Sequence, residues 1–167
     1  SSPRAIDLNG DGTKDIVIGG GTDGDVKSNG VMAFNGINGN LLWRVTGKDE
    51  VFGSPVFNDL NGDNKPDVVI AGRSNQLLAI NGLTGSVMWT YNTPANDTVL
   101  NFYNPQFIPD QNFDGFMDLL VTNGGLHSAA PWQKNRPSGK LMIINSQNGS
   151  VIAKATVPDF EETYCSP

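Results

Sequence analysis

The most informative part of this 167-residue sequence is the stretch DLNGDNKPDVVI at residues 59–70. The same pattern occurs as DLNGDGTKDIVI at residues 7–18 and as DQNFDGFMDLLV at residues 110–121, so the unit recurs after 52 and then 51 residues. Each copy is an acidic loop rich in Asn and Gly that leads into an apolar run, which is typical of a tight turn entering a β-strand. An internal repeat of this length indicates an array of similar supersecondary units.

Two further markers keep the same order within each unit. One is AFNGINGNLLW at residues 33–43 and AINGLTGSVMW at residues 79–89, and its third copy, at residues 143–153, keeps Asn145 and Gly149 but lacks the tryptophan. The other is a Pro-containing pair before each acidic loop, found as Ser2-Pro3, Ser54-Pro55, Asn104-Pro105 and a fourth time as Ser166-Pro167. The repeat therefore predicts units at residues 1–52, 53–102 and 103–164, with residues 165–167 as the start of a further unit.

Each unit reads as four short strands joined by turns, which predicts an all-β protein made of three four-stranded antiparallel blades. Units of roughly 40–50 residues with four strands are the signature of β-propeller blades, whereas helical repeats of similar length would show helical periodicity. Three blades do not close a ring, so we expect one segment of a larger propeller of about 6–8 blades. Its two edges are then covered by missing blades or by partner chains.

Composition narrows the function classes. With 20 Gly and 10 Pro, the sequence favours turns over long helices. The 17 acidic against 11 basic residues give a net charge of −6, and no Lys/Arg cluster is present, so nucleic acid is not an expected partner. No apolar run approaches the ~18 residues of a membrane span. A single cysteine allows no disulfide within the chain.

The spacing of the acidic loops predicts three calcium sites. Ca²⁺ takes oxygen ligands, and a tight loop supplies them from side chains at positions 1, 3, 5 and 9 together with the backbone carbonyl at position 7. Position 6 needs a left-handed turn, and it is Gly12, Asn64 or Gly115. The predicted ligands are Asp7, Asn9, Asp11, Thr13 and Asp15; Asp59, Asn61, Asp63, Lys65 and Asp67; and Asp110, Asn112, Asp114, Phe116 and Asp118.

Two other interpretations of the acidic loops exist. An EF-hand loop requires an acidic ligand at position 12 followed by a helix, but position 12 is Ile18, Ile70 or Val121 within an apolar strand pattern. The other alternative is a plain Asx turn, with acids present only for solubility. Three copies with one spacing favour calcium, in a role that stabilises the blades.

The sequence resembles the FG-GAP/VCBS repeat family, whose calcium-bearing blades also occur in integrin α subunits. Phe52-Gly53, the loop at residues 59–63 and the closing residues 68–72 follow that family's order, although Tyr103-Asn104 replaces the FG pair in the third unit. The Trp43 and Trp89 motifs resemble the tryptophan-docking strands of quinoprotein-type propellers, which implies that both side chains pack between blades. Such propellers serve adhesion, assembly, sugar binding and occasionally catalysis.

Function is expected on the face opposite the acidic loops, where the longer loops lie. The loop at residues 122–139 contains His127, Trp132 and Arg136, which suit a sugar, a carboxylate or a protein surface. No catalytic constellation is visible. We therefore expect a binding or scaffold module of an extracellular, cell-surface or periplasmic protein, with a protein or carbohydrate ligand. The alternative is part of a calcium-propeller enzyme, such as a polysaccharide lyase or a quinone-dependent dehydrogenase.

Overall fold

The computed structural model describes residues 2–24, 29–126, 129–130, 132–157, 163 and 167. These residues form three antiparallel sheets of four or five strands, and no helix occurs within them. The first sheet contains β1 (Arg4–Ile6), β2 (Asp15–Gly19), β3 (Val31–Phe34) and β4 (Leu41–Val45). The second contains β5 (Val56–Asn58), β6 (Asp67–Ala71), β7 (Leu77–Ile80) and β8 (Val87–Thr90). The third contains β9 (Asn101–Phe102), β10 (Gln106–Ile108), β11 (Asp118–Gly124), β12 (Lys140–Ile144) and β13 (Val151–Thr156).

In each sheet the strands pair in chain order, as a meander. The third sheet has one addition, because β9 pairs with β11 on the same side as β10. All three meanders carry a register shift at the same place, next to Phe34, Ile80 and Ile144. A shared bulge at equivalent positions shows that the sequence repeat is also a structural repeat.

The apolar residues of the strands form the contacts between neighbouring sheets. β6 is buried along its whole length, so both of its faces are covered. On one face, Val68 and Ile70 join Val17 and Trp43 of the first sheet in one buried cluster. The opposite face packs in a second cluster with the third sheet, and the cluster includes Val69, Trp89, Val121 and Met142. The three sheets are therefore stacked face to face in chain order.

The predicted all-β class, with three four-stranded antiparallel blades in propeller order, is thus confirmed. Each acidic loop connects the first two strands of its blade, and it contacts the turn between the third and fourth strands. In the first blade, for example, the amide of Gly36 donates to Asp15 Oδ1 across 3.0 Å. The remaining connections lie at the opposite end of the strands, which separates the acidic loops from the longer loops.

Candidate functional site

The first aspartate of each acidic loop folds the loop around its own carboxylate. Asp7 Oδ1 accepts from the amides of Gly10 and Asp11 at 2.7 and 3.2 Å, and Oδ2 accepts from Gly12 at 2.8 Å. The Gly12 amide is the main reason that the pKa of Asp7 lies below its ordinary value. Asp59 and Asp110 hold their loops in the same way.

Positive backbone φ angles occur at loop position 6, as the sequence predicts. Gly12, Asn64 and Gly115 have φ angles of 86°, 61° and 92°. Position 4 is also left-handed, with φ angles of 81° at Gly10 and 62° at Phe113. Phe113 is 93% exposed and has a backbone conformation that residues other than glycine rarely adopt. The third loop therefore carries backbone strain that the first two avoid with glycine.

The aspartate at position 9 of each loop is fully buried, and in the first two blades it connects the loop to the turn between the last two strands. Asp67 Oδ2 accepts from the amide of Leu60 at 3.0 Å, while Oδ1 accepts from Gly82 at 3.2 Å. Asp15 makes the equivalent two bonds in the first blade. Burial raises the pKa of Asp67 above its ordinary value, and the two amides oppose that rise only in part.

The third copy departs from this pattern because Ser146 replaces the glycine. A Cβ on Gly36 or Gly82 would lie 2.0 or 1.9 Å from a backbone carbonyl oxygen of the acidic loop. Ser146 fits differently, with its hydroxyl donating to Met117 O at 2.6 Å. Asp118 Oδ1 is then buried without a well-formed hydrogen bond; burial raises the pKa of this carboxyl, and the amides of Gln111 and Ser146 oppose that rise only in part.

The ligand sets predicted for calcium lie together in each loop, but their carboxylates bond to the chain itself. Asp11 accepts from the Thr13 amide at 2.8 Å and from the Asn9 side-chain amide at 3.0 Å. The second and third loops repeat both bonds. Within the described residues, no three acidic, His or Cys side chains converge as a metal-binding group. The loop oxygens fit a hard cation in type, because carboxylate and amide oxygens are the ligands that such ions take.

A cavity of about 380 Å³ opens on the face opposite the acidic loops. Its lining comes from all three blades: Asp23, Arg73, Asn101, Tyr103, Gly125, Leu126 and Arg136. Arg73 Nε donates to Glu50 Oε2 at 2.8 Å and lies 3.4 Å from Asp23 Oδ1, while the guanidinium sits 5.8 Å from the centre of the Phe52 ring. Asn101 is 4% exposed, and its Oδ1 has no hydrogen-bond partner. The charged groups that line the cavity are thus the Asp23 carboxylate and the guanidinium groups of Arg73 and Arg136.

The three residues predicted for ligand binding have different outcomes. Arg136 lines the cavity and donates to the carbonyls of Gln133 and Ala130 at 3.1 Å each. Trp132 does not line it and is 81% exposed. His127 lies outside the described residues. Arg73 and Asn101 were not predicted from the sequence; Arg73 lies just after β6, and Asn101 begins β9.

Comparison with known proteins supports the fold. No curated protein sequence matches the chain. The structure is similar to Sqt1 from Saccharomyces cerevisiae, with a TM-score of 0.58 and 19% identity over 89% of this chain and 37% of that one. It is also similar to the V. cholerae biofilm matrix protein Bap1, with a TM-score of 0.50 and 17% identity over 95% of this chain and 28% of that one. The chain thus spans well under half the length of either protein, and these similarities describe the fold.

The described residues include no helix that is long and apolar enough to cross a membrane. The family comparison is more specific than the structural similarities, because a single family model covers residues 25–165. That match includes the last two strands of the first blade and all strands of the second and third. This chain therefore belongs to the FAM234A/B beta-propeller family.

Proposed function

We propose that this chain is a calcium-stabilised binding or scaffold module of an exported or cell-surface protein. The observation that carries the proposal is the threefold recurrence of one oxygen-rich loop, each copy fastened to its blade by a fully buried aspartate. Calcium would be held in the first loop by Asp7, Asn9, Asp11, Asp15 and the Thr13 carbonyl, with the equivalent residues in the other two loops. The ion would supply charge neutralisation where the acids now depend on backbone amides.

Asp118 gives this proposal further support. Its Oδ1 is buried with no well-formed hydrogen bond, although the Ser146 amide lies near the carboxyl, and a bound cation would balance the charge of this buried group. Carboxylate loops that bind calcium in extracellular modules commonly need millimolar concentrations, which is the basis for proposing an exported or surface location.

Thermal unfolding with calcium and with a chelator tests the proposal. At a calcium concentration 100 times the dissociation constant, one occupied site contributes about 2.7 kcal/mol, which for this chain length raises Tm by roughly 5–10 °C. Asp63→Asn keeps an acceptor for the Lys65 amide but removes a charge from the second loop, so it should reduce the calcium response. Asp23→Asn, outside the loops, is the matched control and should leave that response unchanged. An identical Tm in calcium and in chelator would contradict the proposal.

The interaction partner is proposed to be a protein or a carbohydrate bound at the 380 Å³ cavity. The Asp23 carboxylate would accept hydrogen bonds from hydroxyl or amine groups, and the Tyr103 ring supplies an apolar surface. We assign binding rather than catalysis to this cavity, because the Arg73 guanidinium is already ion-paired with Glu50 and Asp23. Saturation-transfer NMR with a panel of neutral disaccharides should detect contact that Asp23→Ala weakens, because the Asp23 side chain is more than half exposed. Undiminished transfer in that variant would place the ligand elsewhere.

A further inference from the structure

Adjacent blades are joined by the same tryptophan contact at both internal interfaces. Trp43 Nε1 donates to Gly82 O in the second blade at 2.7 Å, and Trp89 Nε1 donates to Ser146 O in the third blade at 2.7 Å. The receiving element is the turn between the third and fourth strands, which we call the receiving turn, at residues 82–85 and 146–149. Both tryptophans are at least nine-tenths buried.

The last glycine of each receiving turn makes room for the indole ring. A Cβ on Gly85 would lie 2.6 Å from Trp43 side-chain atoms, and one on Gly149 would lie 2.7 Å from Trp89. Both glycines have positive φ angles, of 73° and 75°. We call this contact between a tryptophan and the receiving turn of the next blade a joint. It requires an acceptor carbonyl, a glycine and a flat aromatic donor in fixed positions.

The first blade has the same receiving turn, at residues 36–39, with no tryptophan against it. Gly39 has a φ of 73°, equal to that of Gly85, but a Cβ built on Gly39 meets nothing within 4 Å. The turn is already held in shape, because the Gly36 amide donates to Asp15 and the Gly39 amide donates to Asn35 O. Within the described part of the chain, no donor reaches Gly36 O.

The sheet next to this turn is also uncovered. Ile16 is 44% exposed, whereas Val68 and Leu119, at the same position in the other two blades, are fully buried. Ile18, Met32 and Phe34 share that face of the first sheet and are partly exposed, although their counterparts are buried in both other blades. This apolar face and the receiving turn together reproduce one half of the internal joint.

We propose that this half-joint is a docking surface for a β-sheet of another blade whose outermost strand carries a tryptophan. The indole N–H of the partner would donate to Gly36 O, its ring would lie on Gly39, and its apolar side chains would cover Ile16 and Phe34. The argument for this occupant is continuity with two established interfaces of identical geometry. It does not depend on a metal ion or on the cavity.

A second copy of the chain does not provide the tryptophan. In the third blade, Ala153 pairs with Ile143 as Trp43 pairs with Ala33 and Trp89 with Ala79. The corresponding face there has no indole donor and is mainly apolar and partly exposed; it is lined by Leu120, Leu141, Ile143, Ala153 and Ala155, with Lys154 beside them. This difference provides a probe, since Ala153→Trp would give the chain both halves of the joint.

The test is binding of soluble Ala153→Trp protein to immobilised wild-type chain, compared with soluble wild-type protein. One buried indole and its hydrogen bond should strengthen the association at least about tenfold. Gly39→Asn in the immobilised chain should abolish that gain. Asparagine tolerates the left-handed backbone at this position, but its side chain would occupy the space of the incoming indole ring. Far-UV circular dichroism checks that both variants fold, as both positions are exposed.

Three outcomes would overturn the proposal. One is equal binding of the wild-type and Ala153→Trp proteins, which would mean that apolar faces alone govern association. Another is a gain that survives Gly39→Asn, which would place the new tryptophan elsewhere. The third is an absence of association with any of the proteins.

Discussion

Replacing Trp43 or Trp89 by phenylalanine should destabilise the protein, because the change removes a buried hydrogen bond and leaves a void. Trp89→Phe removes the indole N–H that bonds to Ser146 O at 2.7 Å and leaves that buried carbonyl without its donor. An unsatisfied buried acceptor costs about 1–3 kcal/mol. The smaller ring also leaves a void of ~40 Å³, which at about 24 cal/mol per Å³ adds about 1 kcal/mol.

The expected total is therefore about 2–4 kcal/mol, or a fall in Tm of roughly 5–15 °C for a chain of this length. Trp43→Phe should cost a similar amount, because its contact with Gly82 O has the same length. Trp132→Phe is the matched control: this side chain is 81% exposed, so its replacement should change stability by less than about 0.5 kcal/mol.

Urea unfolding followed by far-UV circular dichroism measures all three variants without relying on tryptophan fluorescence. The reasoning would be refuted if Trp43→Phe and Trp89→Phe were no less stable than Trp132→Phe. A large effect at only one of the two docked positions would show that the two joints differ in strength despite their equal geometry.

Three further predictions concern other positions. Phe113→Gly should stabilise the chain by about 1 kcal/mol in urea unfolding, because it relieves the left-handed strain at an exposed site; a loss of stability would contradict this. Gly36→Ala should destabilise by about 1–3 kcal/mol, since its Cβ would lie 2.0 Å from Lys14 O, and an unchanged Tm would refute the clash. The hydrogen bond from Lys140 lowers the pKa of Asp97 in the folded protein. The pair therefore stabilises the fold fully at pH values above the ordinary aspartate pKa, and this contribution is lost as the pH falls through the lowered pKa of Asp97. Lys140→Met should therefore cost about 0.5–1 kcal/mol at pH 6 and less below about pH 4, and a pH-independent difference would exclude the ion pair as the cause.

The repeat made the fold predictable from the sequence. The same strands are marked three times, by the acidic loops, by the apolar runs that follow them and by the turns that contain Asn and Gly. A strand that one copy marks weakly is therefore still defined by the other two. The left-handed position 6 followed from the residue types of Gly12, Asn64 and Gly115. Phe113 was not predicted to be left-handed, because nothing in an aromatic residue signals that backbone; only its alignment with Gly10 and Gly62 does.

The cavity was the least predictable feature. Its residues come from three blades and are far apart in sequence, so no local pattern connects Asp23 with Asn101 or Arg136. Arg136 was identified by its position in an unusually long loop. Arg73 lies in a short turn and gains its place in the cavity from contacts with Glu50 and Asp23, which depend on how the blades stack. The calcium sites remain a prediction from spacing.

Gly82 shows how the acidic loops and the joints depend on each other. Its amide donates to Asp67 of its own blade, while its carbonyl accepts from Trp43 of the preceding blade. A load that pulls these two blades apart would thus act on the acidic loop through Gly82 as well as through the shared apolar cluster, and a change in the loop would reach the neighbouring blade through the same contacts. We expect force applied across the blades to separate them one at a time. Each acidic loop should become less ordered when the tryptophan of the preceding blade dissociates from the adjacent turn.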